Sequence, residues 1–152
     1  DREKMREFRH ALPVKVNEWI VRHQQRKVST DIAVPDENFA SMLNFYKNSL
    51  NKSNLNYVIF GHIGDNHLHV NILPRNDDEA IRAKHLYGRF IAQSVMLGGT
   101  VSAEHGIGKL KSKYLYVQYG ERFLNEMAEM KRAFDPNGIL GRDNIFDAKY
   151  LS

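Results

Sequence analysis

Residues 2–24 carry Leu12, Val16, Trp19, Ile20 and Val21 as an apolar stripe at near-helical spacing. The pattern predicts a helix with Pro13 as a candidate break. "STDIAVP", residues 29–35, predicts a short strand ended by Pro35. Asp36 is then placed to cap a helix carrying Phe39, Met42, Leu43, Tyr46 and Leu50 on one face. "NKSN", 51–54, reads as a loop, "NYVIFGH" as a strand, "IGDN" as a turn and "HLHVNIL" as a second strand. That second strand alternates: His67, His69 and Asn71 face one way, and Leu68, Val70 and Ile72 the other. Asn76 with Glu79 forms a capping box for a long helix to about residue 97, stopped by Gly98 and Gly99. "TVSAEHGIGK" reads as a strand end and a glycine-rich loop. A last helix from about residue 120 shows a stripe of Phe123, Met127, Met130 and Phe134, with both methionines expected in the core. "DPNG", 135–138, ends it in a turn.

Helices and strands mix without a βαβ rhythm, so the expected class is α+β: an antiparallel sheet covered by helices. At 152 residues the chain fits one domain with a sizeable core. No run of about 18 apolar residues marks a transmembrane helix. The opening "DREKMREFRH" is charged, unlike a secretory signal. It carries no initiator Met and the helical pattern is already running, so the chain is expected to be a piece of a longer protein. Cysteine is absent, which removes disulfides and thiolate metal sites and fits a reducing, cytoplasmic setting. The net charge of +4 and pI of about 9.3 come from dispersed Lys and Arg. The densest cluster, "KLKSK", has no interleaved aromatic residues, so attraction of small anions explains the charge better than nucleic acid.

Candidate chemistry concentrates in "FGHIGDNHLHVNI", which holds three of the seven histidines. A turn centred on Asp65 and Asn66 would set His62 opposite His69, with Cβ atoms ~5 Å apart on one face. His67 and Asn71 would stand beside them. Two histidines need a third protein ligand, and the candidate is Glu104 in "SAEHGIG", where Gly106 and Gly108 permit close backbone approach. His105 is its neighbour. Two histidines and a carboxylate suit zinc, manganese or iron. Histidines clustered at a hairpin are also common as plain surface residues, and spacing does not bring the hairpin and the loop together.

"GHIGDNHLHVNI", then "SAEHGIGKLK", then "MKRAFDPNGIL", with "FRHALP" and "TDIAVP" also in order, resembles the C-terminal domain of FAD-linked oxidases. This is the vanillyl-alcohol oxidase and para-cresol methylhydroxylase flavoprotein superfamily, and the likeness points to its D-2-hydroxyacid dehydrogenase branch. The resemblance covers nearly the whole chain and implies a ferredoxin-like cap or substrate domain spanning residues 1–152. It implies that FAD is bound mainly by an N-terminal domain absent from this chain, which alone would be inactive. By the same resemblance His62, His69 and Glu104 bind a divalent metal, His105 is the general base, Asn71 touches the substrate and Arg9 holds its carboxylate. The implied reaction oxidises a lactate-, glycolate- or 2-hydroxyglutarate-like acid, with hydride passing to the flavin. The final electron acceptor is unspecified, and it could place the protein at a membrane surface. The family's "HxGDGNLH" becomes a stretch with Asn66 and His67 in place of Gly and Asn. His67 is either an extra polar group at the site or a neutral change in the turn. A family threonine becomes Pro13, a lysine becomes Ser29 and an asparagine near the flavin becomes Gly141. A non-catalytic metal- or carboxylate-binding module and a metal-dependent hydrolase are the alternative readings of the same residues.

Overall fold

The computed structural model describes residues 1–145 and 147–151. Its fold is α+β. The helices are α1 (Arg2–His23), α2 (Phe39–Ser53), α3 (Asp77–Met96) and α4 (Ser112–Phe134), and the strands are β1 (Val28–Ser29), β2 (Ile32–Ala33), β3 (Asn56–His62) and β4 (His67–Leu73). β4 is the central strand: β1 and β2 pair end to end along one edge and β3 along the other, all antiparallel.

The single strand expected over 29–35 is two short pieces, and Thr30 supplies the reason. Its N–H donates to the Val70 carbonyl (3.0 Å). Its hydroxyl donates to the Leu68 carbonyl (3.1 Å) and accepts from the Val70 N–H (2.9 Å). A side chain thus takes ladder positions and the backbone pairing is interrupted.

Leu68, Val70 and Ile72 enter the core with Ile32, Met42, Tyr46, Leu50, Phe90 and Ile91. Val70, Ile72 and Phe90 are 0% exposed. Tyr46 meets Phe90 edge-on, with ring centroids 4.8 Å apart. Asn76 caps α3 by accepting from the Glu79 N–H (2.9 Å). The box is not reciprocal: the Glu79 carboxylate takes the Arg75 N–H instead.

Several other sequence expectations are corrected. α1 runs unbroken through Pro13 and buries only Val16, while Val21 is exposed. Asp36 starts a short 3-10 turn without a side-chain cap, and α2 continues through most of 51–54 to Ser53. No strand forms in 100–109. That segment is instead tied beside β2 by Thr100 N–H to the Ala33 carbonyl (2.9 Å) and Ala103 N–H to the Asp31 carbonyl (2.8 Å). α4 begins near residue 112 and is kinked at Gly120, whose φ of 74° departs from the helix. Its core face is Leu115, Leu124 and Ala128, with Met127 partly buried. Phe123, Met130 and Phe134 are exposed, so Met130 is not a core residue. No described helix is long and apolar enough to cross a membrane.

Candidate metal and substrate site

The β3–β4 connection is a 3-10 turn over Ile63–Asp65, closed by Asn66 in the left-handed region at φ 51°. The extra turn residues set His62 opposite His67 and Phe60 opposite His69, two residues away from the expected pairing. Because strand side chains alternate, a slip of two keeps every residue on its face. His62, His67 and His69 therefore still share one side of the hairpin, with His62 and His69 now diagonal neighbours and ring centroids 6.4 Å apart. The strands close tightly at Gly61, where an added Cβ would lie 2.4 Å from the His67 carbonyl oxygen.

The polar face of β4 is not open. His67 is 4% exposed, His69 8% and Asn71 1%. Over His67 and His69 the cover is the 101–105 loop, and Asp31 anchors it. This carboxylate, 2% exposed, accepts from Lys111 Nζ (2.6 Å), Ser102 Oγ (2.6 Å) and the N–H groups of Glu104 (3.2 Å) and His105 (3.1 Å). Burial alone would push the Asp31 carboxyl up, but Lys111, Ser102 and the two amides outweigh it and hold the carboxyl well below the usual range. Sequence reasoning passed over Asp31 and Lys111. Their only signal was an acid inside the otherwise apolar "DIAVP".

The anchored loop delivers Glu104 to the histidines. Its Oε1 lies 2.9 Å from His69 Nε2, 3.7 Å from His62 Nε2, 3.7 Å from His67 Nδ1 and 3.6 Å from His105 Nε2. The loop and the hairpin therefore meet, and Glu104 lies close to His69 with His62 farther off. His69 Nδ1 is 3.1 Å from the Thr30 carbonyl oxygen. A carbonyl only accepts, so Nδ1 carries a hydrogen, and the ring is held with Nε2 turned toward a carboxylate. At 2.9 Å this contact is a hydrogen bond when Nε2 carries a hydrogen and a place for a cation when it does not. Burial holds the His67 imidazole below its ordinary pKa, helped by His69 and opposed by the Glu104 and Asp31 carboxylates. Burial works to raise the Glu104 carboxyl, yet the hydrogen bond to His69 and the other imidazoles lower it.

Asp31, His69, Glu104 and His105 form the group whose ligating atoms all lie within 4.8 Å of one another. His62 is outside that group, and Asp31 within it already takes hydrogen bonds from Lys111, Ser102 and two amides.

The structure brings Arg9 to the histidines but not Asn71. Arg9 lines a cavity of about 420 Å³ with Phe8, Leu12, Phe60, His62 and His69, between α1 and the hairpin. Asn71 is closed off beyond His69 and does not line that cavity, and its Oδ1 has no hydrogen-bond partner. A larger groove of about 630 Å³ lies between α2 and α3, rimmed by Lys52, Arg82, His85 and Arg89. It holds no carboxylate to partner a base, and no metal-ligating group converges there.

A family model for the C-terminal domain of FAD-linked oxidases matches residues 1–145. The chain is 30% identical over 129 residues to glycolate oxidase subunit GlcD of Bacillus subtilis, covering 84% of this chain and 27% of that protein. It is 34% identical over 118 residues to D-lactate dehydrogenase (cytochrome) 1, mitochondrial, of Saccharomyces cerevisiae, covering 78% and 20%. It is 38% identical over 95 residues to D-2-hydroxyglutarate dehydrogenase of Stutzerimonas stutzeri, covering 60% and 20%. The chain thus spans 20–27% of the length of these relatives.

Proposed function

The chain belongs to the FAD-linked oxidase C-terminal domain family, and on that premise we propose that it is the substrate- and metal-binding part of an oxidoreductase acting on a small 2-hydroxy acid. The names of the relatives, which speak of glycolate, D-lactate and D-2-hydroxyglutarate, support that substrate class. The observation that carries the reading is the placement of the His69 ring between Thr30 and Glu104. Its Nε2 lies 2.9 Å from the Glu104 carboxylate while Nδ1–H is spent on Thr30. An imidazole held by a backbone carbonyl and aimed at an acid is prepared to ligate a cation.

His62, His69 and Glu104 would hold a divalent metal, with zinc, manganese and iron all suited to the donor set. Bound there, such an ion would act as a Lewis acid that makes a hydroxyl easier to deprotonate. The chain's own residues do the rest. Arg9, exposed on α1 and facing the same cavity as His62 and His69, clamps the substrate carboxylate in bidentate fashion. His105 is mostly exposed and accepts the 2-hydroxyl proton at Nε2, the nitrogen beside Glu104. The family resemblance also gives Asn71 a substrate contact, and its unpartnered Oδ1 is the acceptor it would offer. The oxidant implied by the family is FAD, which would take up the hydride from the substrate carbon. No described strand leads through a glycine-rich turn into a helix, the usual pyrophosphate cradle, so no residue here is assigned to the flavin.

Elemental analysis of the purified protein beside His62→Ala and Glu104→Ala tests the ligand set. The expected result is one bound divalent metal in the parent and loss of it in both variants. Equal metal content in all three overturns the assignment.

A further inference from the structure

His67 is the least explained residue of the site. It is 4% exposed, yet among the described residues neither ring nitrogen takes part in a hydrogen bond. A buried polar group left unpaired is costly, so native structures usually give it a partner. Its Nε2 lies 3.2 Å from Asp31 Oδ1, out of line for a hydrogen bond. Of the four hydrogen bonds to Asp31 only that from the Glu104 N–H falls on Oδ1, so this oxygen has a lone pair to spare for an imidazole N–H. With the hydrogen on Nε2, the lone pair on Nδ1 faces Glu104 Oε1 at 3.7 Å. This repeats the arrangement of His69: one nitrogen turned to an oxygen acceptor, the other aimed at the same carboxylate. The His67 ring is 4.4 Å from that of His69 and 5.9 Å from that of His62.

We propose that His67 is a third imidazole ligand of the cation site, oriented by Asp31, so that the site offers three imidazoles and one carboxylate. The inference rests on the reading that His62, His69 and Glu104 hold a divalent metal. Its consequence is selectivity. Imidazole donors suit zinc, copper and iron, whereas carboxylate and water suit manganese and magnesium. A third imidazole in place of the asparagine of the family pattern therefore tilts the site toward zinc. Asp31 gains a second role: it ties down the loop that brings Glu104 and it aims His67, as carboxylates behind metal-binding histidines do.

The test uses the full-length protein, stripped by chelator and reloaded with Zn²⁺ alone or Mn²⁺ alone. Affinities are read by competition with a chromophoric chelator for the parent, His67→Asn and His62→Ala. His67→Asn is expected to weaken Zn²⁺ binding by about 10–100-fold, the range that losing even an outer partner produces, and to change Mn²⁺ binding far less. Zn²⁺ binding by His67→Asn equal to that of the parent, with His62→Ala impaired, overturns this inference and leaves the underlying site standing. A parent that binds neither ion, or His62→Ala that binds like the parent, overturns both. X-ray absorption on the zinc-loaded His105→Ala protein gives an answer that does not depend on how His67→Asn folds. His105 is exposed and not in the core, so its removal leaves His62, His67 and His69 to be counted. Three coordinated imidazoles support the proposal, and two overturn it.

Discussion

Replacing Asp31 with Asn asks how much of the domain's stability depends on one buried carboxylate. The substitution keeps the shape and removes the charge. In the parent, Lys111 Nζ and Ser102 Oγ approach Asp31 Oδ2 at 2.6 Å each, and two backbone N–H groups complete the set. An amide nitrogen placed at Oδ2 would meet the Lys111 ammonium donor to donor. An amide turned the other way would point its nitrogen at the Glu104 N–H. Either way at least one strong bond becomes a repulsive contact. Hydrogen bonds to charged groups contribute about 1.5–3 kcal/mol each, though not additively. Removing one partner of a buried ion pair costs about 3–5 kcal/mol. The Lys111 side chain is 15% exposed and can rotate toward water, which relieves part of that cost. The expected loss is therefore about 3 kcal/mol, a large share of the 5–15 kcal/mol typical of a domain.

Urea unfolding followed by circular dichroism measures the loss directly. Adding Lys111→Met to Asp31→Asn removes the stranded cation, and the double variant is expected to recover about 1–2 kcal/mol, as contacting pairs do in such cycles. A loss under about 1 kcal/mol for Asp31→Asn, or additive losses in the double variant, would refute the view that this cluster is a coupled anchor.

The same groups set a pH response. Asp31 and Glu104 have folded pKa values below their ordinary 3.8 and 4.5, so their contribution is full above those values and is lost as pH falls through the folded ones. His67 is held below 6.5, so the unfolded chain takes up that proton first and stability starts to fall below that pH. All three act in one direction: the urea midpoint should decline from pH 7.5 to 5.5 and more steeply toward 4, and a flat or rising profile refutes the assignment. In α4, Leu124 is 2% exposed and Met130 66%. Leu124→Ala should cost about 2–5 kcal/mol in the same assay, and Met130→Ala should stay within about 0.5 kcal/mol. The reverse ranking would mean the helix faces the other way.

The elements whose residues satisfy a single requirement were legible. β4 had to bury Leu68, Val70 and Ile72, so its alternation identified both its type and its core face. Asn76 announced the start of α3 because an N-cap is a local device. α4 was misread because several spacings fit a helix at once. Phe123, Met127, Met130 and Phe134 make a regular stripe, yet the helix turns Leu124 and Ala128 inward. Which stripe is buried depends on what lies opposite: α4 packs against α3, with Tyr87 meeting Tyr114, and it changes direction at the kink at Gly120. Thr30 replaced ladder bonds with its hydroxyl, a tertiary choice that no propensity announces.

The hairpin shows why the candidate site survived an error in its own geometry. Sequence reasoning placed His62 opposite His69, whereas the 3-10 turn at Ile63–Asp65 puts it opposite His67. An error of one residue would have moved His62 to the core face and dispersed the cluster. An error of two leaves the face intact and changes only which partner is nearest. That change has chemical content. The expected register makes His67 a bystander in the turn. The observed one makes it the residue directly across from His62, sealed under the loop that Asp31 holds, with its Nδ1 turned toward Glu104. Parity along the strand decides whether these histidines can meet at all, and turn length decides how many of them do.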